Sequence, residues 1–389
     1  MESWVVFLAI LLSFWSIVYI GRQFLPKSFE IHPFLIMWRT TRFNSLIDRA
    51  GRALRSFWRV FWTLGVAISI GGMVYITYIL GRNLFYIFFK TESATPVSPL
   101  IPGITLSLNF NTLFFFGLSL AIIIIFHEFS HGVAARAENI KVKSTGLLLL
   151  AVIPGAFVEP DEEDLTKAKK SAQARVFSAG STANILMGLL ALILLTNSNI
   201  VLAPIYNADP SGIQITEIVP NSPADGILKN WDVITSINGS PIKDAESLSS
   251  TLSAIPPNST VPFSIIRDGK TIEINFTLGQ SPSRNASYIG INSFPYYAPR
   301  FPFIPSMGSF YILGSLSWFY LLSINIGLIN MMPVTGLDGD KLAAILLRSV
   351  FRNERRAIQL SNLLRWMCLV ILVLNISMSF VLFPSFKFG

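Results

Sequence analysis

The chain has 389 residues, of which 52% are hydrophobic and only 13% are charged. Soluble domains carry roughly 25% charged residues, so this composition excludes an ordinary soluble protein and predicts one that is mostly embedded in a membrane. The net charge of +8 does not indicate nucleic-acid binding, because the basic residues gather between apolar runs without an aromatic RNA-binding motif. The single cysteine, Cys368, excludes an internal disulfide framework and a cysteine-rich zinc site.

Six apolar runs predict transmembrane helices, each near the roughly 20 residues that a bilayer requires. They lie at residues 4–20, 60–80, 113–135, 172–196, 308–332 and 364–383. Residues 21–59 carry eight basic and two acidic side chains, a net charge of +6, which predicts a cytoplasmic location for that segment. Alternation from this segment predicts residues 197–307 outside the cytoplasm and residues 333–363 inside it.

The stretch at residues 43–62, "FNSLIDRAGRALRSFWRVFW", predicts an amphipathic helix at the membrane surface. Arg52, Arg55 and Arg59 share one helical face, and leucine, phenylalanine and tryptophan lie between them. Contact with the anionic inner leaflet of the bilayer is therefore the favoured interpretation. A merely solvated helical linker is the alternative.

A shorter apolar stretch, "KSTGLLLLAVIPGAFVEP" at residues 143–160, is too short to cross the membrane. Pro154 and Gly155 interrupt it. We therefore expect a re-entrant hairpin enclosed by protein, since irregular backbone at membrane depth is tolerated only there.

Residues 205–280 differ from their surroundings, because apolar and polar residues alternate and Gly, Pro, Asn and Asp punctuate them. This pattern predicts a small β-rich domain. Within it, "GIQITEIVPNSPADGILKNWDVITSINGSPI" (212–242) resembles a PDZ domain, with Trp231 where that family usually has glycine. PDZ domains bind peptides by adding a strand to an exposed sheet edge, so a peptide or a substrate ectodomain is the expected partner.

The chain is thus predicted to be a polytopic α-helical membrane protein, with about six transmembrane helices, a re-entrant hairpin and an inserted β-rich PDZ domain. The sequence is predicted to divide into four parts. Residues 1–112 form the N-terminal transmembrane helices and their basic linker, 113–200 the first half of a core, 205–280 the PDZ domain, and 307–389 the second half with the last helix.

The apolar run "AIIIIFHEFSHGVAAR" contains His127, Glu128 and His131 in the pattern H-E-x-x-H. Residues four apart share one face of a helix, so both imidazoles can bind one metal ion with Glu128 beside the bound water. Zinc suits such a site, since imidazole is a good ligand for it. The alternative places three unpaired polar groups in lipid, at a cost of several kcal/mol.

A catalytic zinc site takes three protein ligands, and the sequence offers a carboxylate for the third. The one further histidine, His32, lies in the predicted cytoplasmic segment. Asp338 is the best candidate, because Pro333 and Gly336 are expected to unwind the helix just before it. Asp340 ranks second.

These motifs resemble the site-2 protease family of intramembrane zinc metalloproteases. That family pairs H-E-x-x-H with a later N-x-x-P-x-x-x-x-D-G, and Asn330, Pro333, Asp338 and Gly339 fit the spacing. The resemblance covers roughly residues 113–350, including a PDZ domain inserted between core helices.

A third family element, A-G-P-x-x-N, stands here as "AGSTAN" at residues 179–184, with Ser181 in place of proline. The family's frequent second proline before L-D-G is Gly336 here. Both departures concern local helix geometry, and every metal-binding and catalytic position of the family is kept.

The resemblance implies a role for each matching residue. His127, His131 and Asp338 would hold Zn²⁺, and Glu128 would act as general base and then as proton donor to the leaving amine.

It also implies roles around the substrate. Asn184 and Asn330 look like the family's polar residues near the reacting carbonyl, although simple helix–helix hydrogen bonding is the alternative for each. Gly155 and its hairpin resemble the edge that holds the substrate as an extended strand.

The favoured function is an intramembrane zinc metalloendopeptidase that cleaves transmembrane segments of other proteins. The PDZ domain would lie on the extracytoplasmic or lumenal side, and the active site toward the cytoplasm. One alternative is a CAAX-type membrane zinc protease, which would require a later glutamate ligand. The other is a catalytically silent, PDZ-bearing membrane scaffold.

Overall fold

The computed structural model describes residues 3–151, 153–281 and 286–383 of the chain. The chain divides into two compact units. One combines the chain up to Ala191 with the chain from Trp318 onward, and the other comprises Leu192–Ser317.

Long helices dominate the described residues. In chain order the helices are α1 (Ser3–Gly21), α2 (Asn44–Ala53), α3 (Arg55–Phe89), α4 (Phe110–Ala137), α5 (Glu162–Lys167), α6 (Lys170–Thr196), α7 (Ser198–Leu202), α8 (Ala245–Ala254), α9 (Gly308–Asn330), α10 (Asp338–Val350) and α11 (Glu354–Leu382). Within the described residues, α3, α4, α6, α9 and α11 are long and apolar enough to cross a membrane. The first of the six predicted spans coincides with α1, a helix of 19 residues.

These helices confirm an integral membrane protein with several spans. Their apolar side chains remain largely outside the protein interior, because only 17–44% of each apolar window is buried. In water so much exposed apolar surface would be unfavourable, whereas lipid accepts it at no cost. Helix α3 has 35 residues, so at about 1.5 Å per residue it is longer than the roughly 30 Å hydrocarbon core.

A four-stranded antiparallel sheet belongs to the first unit. Its strands follow the order β1 (Phe29–His32), β2 (Leu35–Thr40), β3 (Val142–Leu150) and β4 (Ile153–Pro160). The predicted hairpin at 143–160 is therefore a β-hairpin. Protein encloses it only in part, contrary to the expectation, since Leu147 and Leu150 are 49% and 50% exposed.

The two strands that extend this sheet come from the segment predicted as a basic linker. Trp38 of β2 lies opposite Leu147 of β3, and Thr40 lies opposite Thr145. Strands of four and six residues in a basic segment leave a weak signal in the sequence, and only the pairing with β3 reveals them.

The second unit confirms the predicted β-rich domain. Its strands are β5 (Ile213–Ile218), β6 (Val233–Ile237), β7 (Ser240–Pro241), β8 (Thr260–Arg267), β9 (Lys270–Thr277), β10 (Gly279–Gln280), β11 (Ser287–Tyr288) and β12 (Ile291–Pro295). The main sheet has the order β12-β5-β6-β8-β9. It therefore continues past residue 280, where the predicted domain ends, because β12 pairs with β5.

Trp231, which stands where a glycine was expected, keeps the backbone that glycine favours. Its φ is +75°, in the left-handed region that costs an L-residue roughly 1–2 kcal/mol. The indole lies 5.5 Å from the ring of Phe310 and 6.1 Å from that of Tyr311. These aromatic contacts offset the backbone cost.

Phe263 carries the core of this β-rich unit. It is fully buried, and its ring lies 4.8 Å from that of Phe276. We expect Phe263→Ala to destabilise the unit by about 3–5 kcal/mol, because the lost contacts leave a cavity. Limited proteolysis should then cut within residues 213–280 far faster, whereas Ser250→Ala on the exposed face of α8 should leave the rate unchanged. Equal rates for both variants would contradict this description of the core.

Candidate metal centre

Two histidines of α4 point into the helical unit from the same face. His127 and His131 are one turn apart, with ring centroids 4.8 Å apart and Nε2 atoms 3.2 Å apart. Both residues are buried, at 7% and 8% exposure. The i, i+4 spacing of a helix produces this convergence directly.

Asp338 reaches the same point from the other half of the chain. Helix α9 ends at Asn330, and the turn that follows contains Gly336 at φ +96°, a backbone conformation that glycine adopts without strain. Asp338 is then the first residue of α10. Its Oδ2 atom lies 3.0 Å from Nε2 of His131 and 3.2 Å from Nε2 of His127.

The residue after this aspartate also has to be small. A Cβ atom at Gly339 would overlap the backbone carbonyl of Met331. The chain can therefore fold back so closely after α9 only with glycine at this position. This close approach explains why glycine directly follows Asp338.

The three ligand atoms are spaced as a metal ion requires. With bonds of about 2.0–2.1 Å, the ligand atoms of a tetrahedral zinc site stand about 3.3–3.4 Å apart. The separations here, 3.0–3.2 Å, are close to that edge length. Two imidazoles and one carboxylate also match the ligand set of catalytic zinc sites, so His127, His131 and Asp338 could hold a metal ion.

The outer nitrogen of His131 fixes the tautomer that a metal needs. Nδ1 lies 2.7 Å from the carbonyl oxygen of Val176 in α6. A carbonyl oxygen only accepts, so Nδ1 carries the proton and the lone pair of Nε2 faces the cluster. Val176 is thus a positioning residue that the sequence did not single out.

Asn184 plays the corresponding part for His127. Its amide nitrogen lies 3.0 Å from Nδ1 of His127, while its buried Oδ1 has no hydrogen-bond partner in this orientation. Amide nitrogen and oxygen are exchanged by a 180° rotation, which lets Oδ1 accept the Nδ1 proton and leaves Nε2 free for a metal. The amide therefore faces the back of the imidazole.

The other predicted residues take distinct places around this cluster. The amide nitrogen of Asn330 lies 3.5 Å from Nε2 of His127, on the side of the ligand atoms.

Glu128 accepts a hydrogen bond of 3.0 Å from the backbone N–H of Val158 in β4. Gly155 lies in β4 opposite Leu148, three residues from Val158. Asp340 is held by Arg365, with N–O distances of 2.9 and 3.0 Å.

Gly180 brings α6 against both imidazoles. A Cβ atom at this position would stand 2.6 Å from Nε2 of His127 and would also overlap Nε2 of His131. Ser178, Ala179 and Ser181 beside it are buried completely. The motif "AGSTAN" contains this glycine, but its packing against the histidines is visible only in the fold.

The fold and this cluster define a polytopic membrane protein with a candidate metal centre in its helical unit. A model of peptidase family M50 matches residues 115–374, more than half of the chain. The chain therefore belongs to peptidase family M50.

Two relatives share this region. An uncharacterized protein of Methanocaldococcus jannaschii is 30% identical over 244 residues, which are 62% of this chain and 56% of that protein. A membrane-bound transcription factor site-2 protease homolog of Arabidopsis thaliana is 24% identical over 202 residues, 52% of this chain and 39% of that protein. The chain thus covers less than two thirds of the length of either relative.

Among solved structures, the chain is similar to the PDZ domain of an SdrC-like protein from Listeria monocytogenes. The identity is 20%, and the match covers 21% of this chain and 87% of that domain with a TM-score of 0.20.

The close approach of α6 can be tested with one methyl group. We expect Gly180→Ala to lower metal affinity roughly tenfold or more, since the added Cβ must displace the histidines. Metal content of the purified protein, measured during titration with a chelator, gives the affinity. Gly81→Ala in α3 is the matched control, because a Cβ there meets nothing within 4 Å. Undiminished affinity in Gly180→Ala would contradict the described packing.

Proposed function

We propose that the chain is a zinc-dependent endopeptidase that cleaves transmembrane segments of other membrane proteins. The convergence of His127, His131 and Asp338 beside Glu128, within a unit of membrane-spanning helices, carries this proposal. Membership of a peptidase family supports the class of reaction. The closeness of ligand atoms from α4 and α10 supports a site that both halves of the chain build together.

Zinc is the metal that the ligands favour. Imidazole and carboxylate ligands in a three-residue set leave one coordination position open, as catalytic zinc requires. Bound zinc would act as a Lewis acid on the scissile carbonyl and make water a better nucleophile near neutral pH.

Glu128 is the proposed general base. It follows His127 directly in α4 and does not belong to the cluster of three. It would take the proton of the attacking water and deliver it to the amide nitrogen that leaves. The hydrogen bond from Val158 N–H holds the carboxylate toward β4 during both transfers.

The two asparagines take different parts in this proposal. Asn184 would keep His127 in the tautomer with the proton on Nδ1, as its 3.0 Å contact supports. Asn330 lies on the side of the ligand atoms, where its amide N–H groups could stabilise the developing oxyanion. Simple helix–helix hydrogen bonding accounts less well for Asn330, because its amide nitrogen lies 3.5 Å from Nε2 of the proposed ligand His127.

Strand β4 would present the substrate to Glu128. It is an edge strand of the sheet β1-β2-β3-β4, and the N–H of Val158 points to Glu128 and so away from β3. Because strand residues alternate in direction, the N–H and C=O of Ala156 point the same way. Pro154 shares this direction and has no N–H to offer, which suits an edge position.

An extended peptide could therefore pair with β4 at Ala156, next to the proposed base. A transmembrane helix must unwind locally to do so, since its peptide bonds are otherwise shielded by their own hydrogen bonds. Gly155, predicted as part of this edge, would contribute by its place in the strand and not by a side chain.

The β-rich unit is proposed to bind a peptide or a substrate ectodomain on the extracytoplasmic or lumenal side. The described main sheet has β12 as one edge, which could accept an added strand. The net positive charge of residues 21–59 supports a cytoplasmic location for that segment, from which the extracytoplasmic or lumenal side is assigned by alternation.

We expect Glu128→Gln to reduce cleavage of a transmembrane substrate by at least 10²-fold while zinc remains bound. A carboxamide cannot accept the proton of water, whereas the three ligands stay intact. Cleavage in proteoliposomes and zinc content are the two measurements, and His131→Ala is the control that should lose zinc. Loss of zinc from Glu128→Gln would make Glu128 a ligand instead. Mass spectrometry of membrane fragments that accumulate with this variant would identify substrates.

The third ligand is tested by two neighbouring aspartates. Asp338→Asn should lower zinc occupancy and activity together, because an amide oxygen is a much weaker ligand than a carboxylate. Asp340→Asn removes the same charge but only breaks the ion pair with Arg365, so zinc should be kept. Metal analysis of both purified variants decides which aspartate is the third ligand. The reverse pattern would exclude Asp338 as the ligand.

A further inference from the structure

A basic cavity of about 520 Å³ lies outside the metal cluster. It is lined by the second and third turns of α3, the first two turns of α6, and the residues just after α4 and just before α6. Its charged lining consists of Arg59, Glu138, Lys169 and Arg175. Nothing in the proposed peptidase mechanism uses these residues.

The cavity lies at the ends of three membrane-spanning helices. Glu138 follows the last residue of α4, and Lys169 precedes the first residue of α6. Arg59 is in the second turn of α3, a helix too long to fit within the hydrocarbon core. These positions put the cavity at the boundary between lipid and water.

The charges in the cavity do not balance. The carboxylate of Glu138 is 6% exposed and pairs with Arg175 at 2.9 Å and with Arg59 at 3.2 Å. Lys169 is exposed, and its ammonium has no ion pair among the residues that the structure describes. Three cations against one carboxylate leave an excess of positive charge that an anion would neutralise.

One wall of the cavity is apolar and faces outward. Val60 and Leu64 of α3 line it, four residues apart on one helical face, and are 64% and 63% exposed. Basic side chains next to exposed aliphatic side chains match a molecule with an anionic head and hydrocarbon chains. A free anion would use only the basic part.

We propose that this cavity binds the phosphate headgroup of an anionic phospholipid, whose acyl chain lies along Val60 and Leu64. Basic pockets between transmembrane helices are suited to such headgroups, and each cation near the surface contributes about a fivefold gain in affinity. Ser171, which also lines the cavity, adds a hydroxyl group as a hydrogen-bond donor.

The site is linked to the metal cluster through the backbone. Arg175 precedes Val176, whose carbonyl accepts the Nδ1 proton of His131, and Glu138 ends the helix that carries both histidines. A bound lipid would hold α3, α4 and α6 together at this end.

Native mass spectrometry of the full chain in detergent micelles tests the proposal, with phosphatidylglycerol as the probe. We expect phosphatidylglycerol to be retained and phosphatidylcholine not. Lys169→Gln should bind it about fivefold more weakly, and Lys169→Arg should restore binding. Because the Lys169 side chain is exposed and makes no ion pair with the described part of the chain, its substitution should leave folding intact, which the unfolding temperature checks.

The control is Lys141→Gln, which removes one exposed charge just beyond α4 but does not line the cavity. An equal loss of binding in this control would show general electrostatic attraction and overturn the proposal. Equal retention of phosphatidylcholine would also overturn it. Displacement of the lipid by millimolar glycerol phosphate would assign the cavity to a soluble phosphate ester and exclude the lipid.

Discussion

The structure depends on a grouping of ionisable side chains that is costly inside a membrane protein. His127, His131 and Asp338 meet within the helical unit, where an isolated charge or an unpaired polar group costs several kcal/mol. Each imidazole is therefore hydrogen-bonded on its outer nitrogen, and the three inner ligand atoms face one another at 3.0–3.2 Å. Two imidazoles and a carboxylate at these separations could together hold a metal ion.

Close packing of small residues makes this grouping possible. The backbone of α6 approaches the imidazoles at Gly180. After α9 the chain folds back so that Gly339 packs against the backbone carbonyl of Met331. Small residues let membrane helices approach closely where no hydrophobic effect drives them together. Helix α6 also supplies Val176 and Asn184. The helix that approaches the imidazoles therefore provides both hydrogen bonds that orient the histidines.

The sheet gives the helical unit a feature that helices alone lack. A helix satisfies its own backbone groups, whereas an edge strand leaves every second N–H and C=O available. Because Glu128 accepts the N–H of Val158, the carboxylate and the available edge of β4 are held in one geometry. Proton transfer and peptide pairing would thus occur side by side.

The sequence by itself determined the membrane class, the places of the long helices, the β-rich insertion and the residues of H-E-x-x-H. These follow from composition and from short-range periodicity, because residues four apart on a helix meet whatever surrounds them. The helix-breaking residues Pro333 and Gly336 also ranked Asp338 above Asp340. Only the tertiary structure decided the rest. The pairing of β2 with β3, the contact of Gly180 with both imidazoles and the partnership of Asp340 with Arg365 join residues far apart in the chain or on different elements. Their energies arise from packing and hydrogen bonds between those elements, which no local pattern encodes.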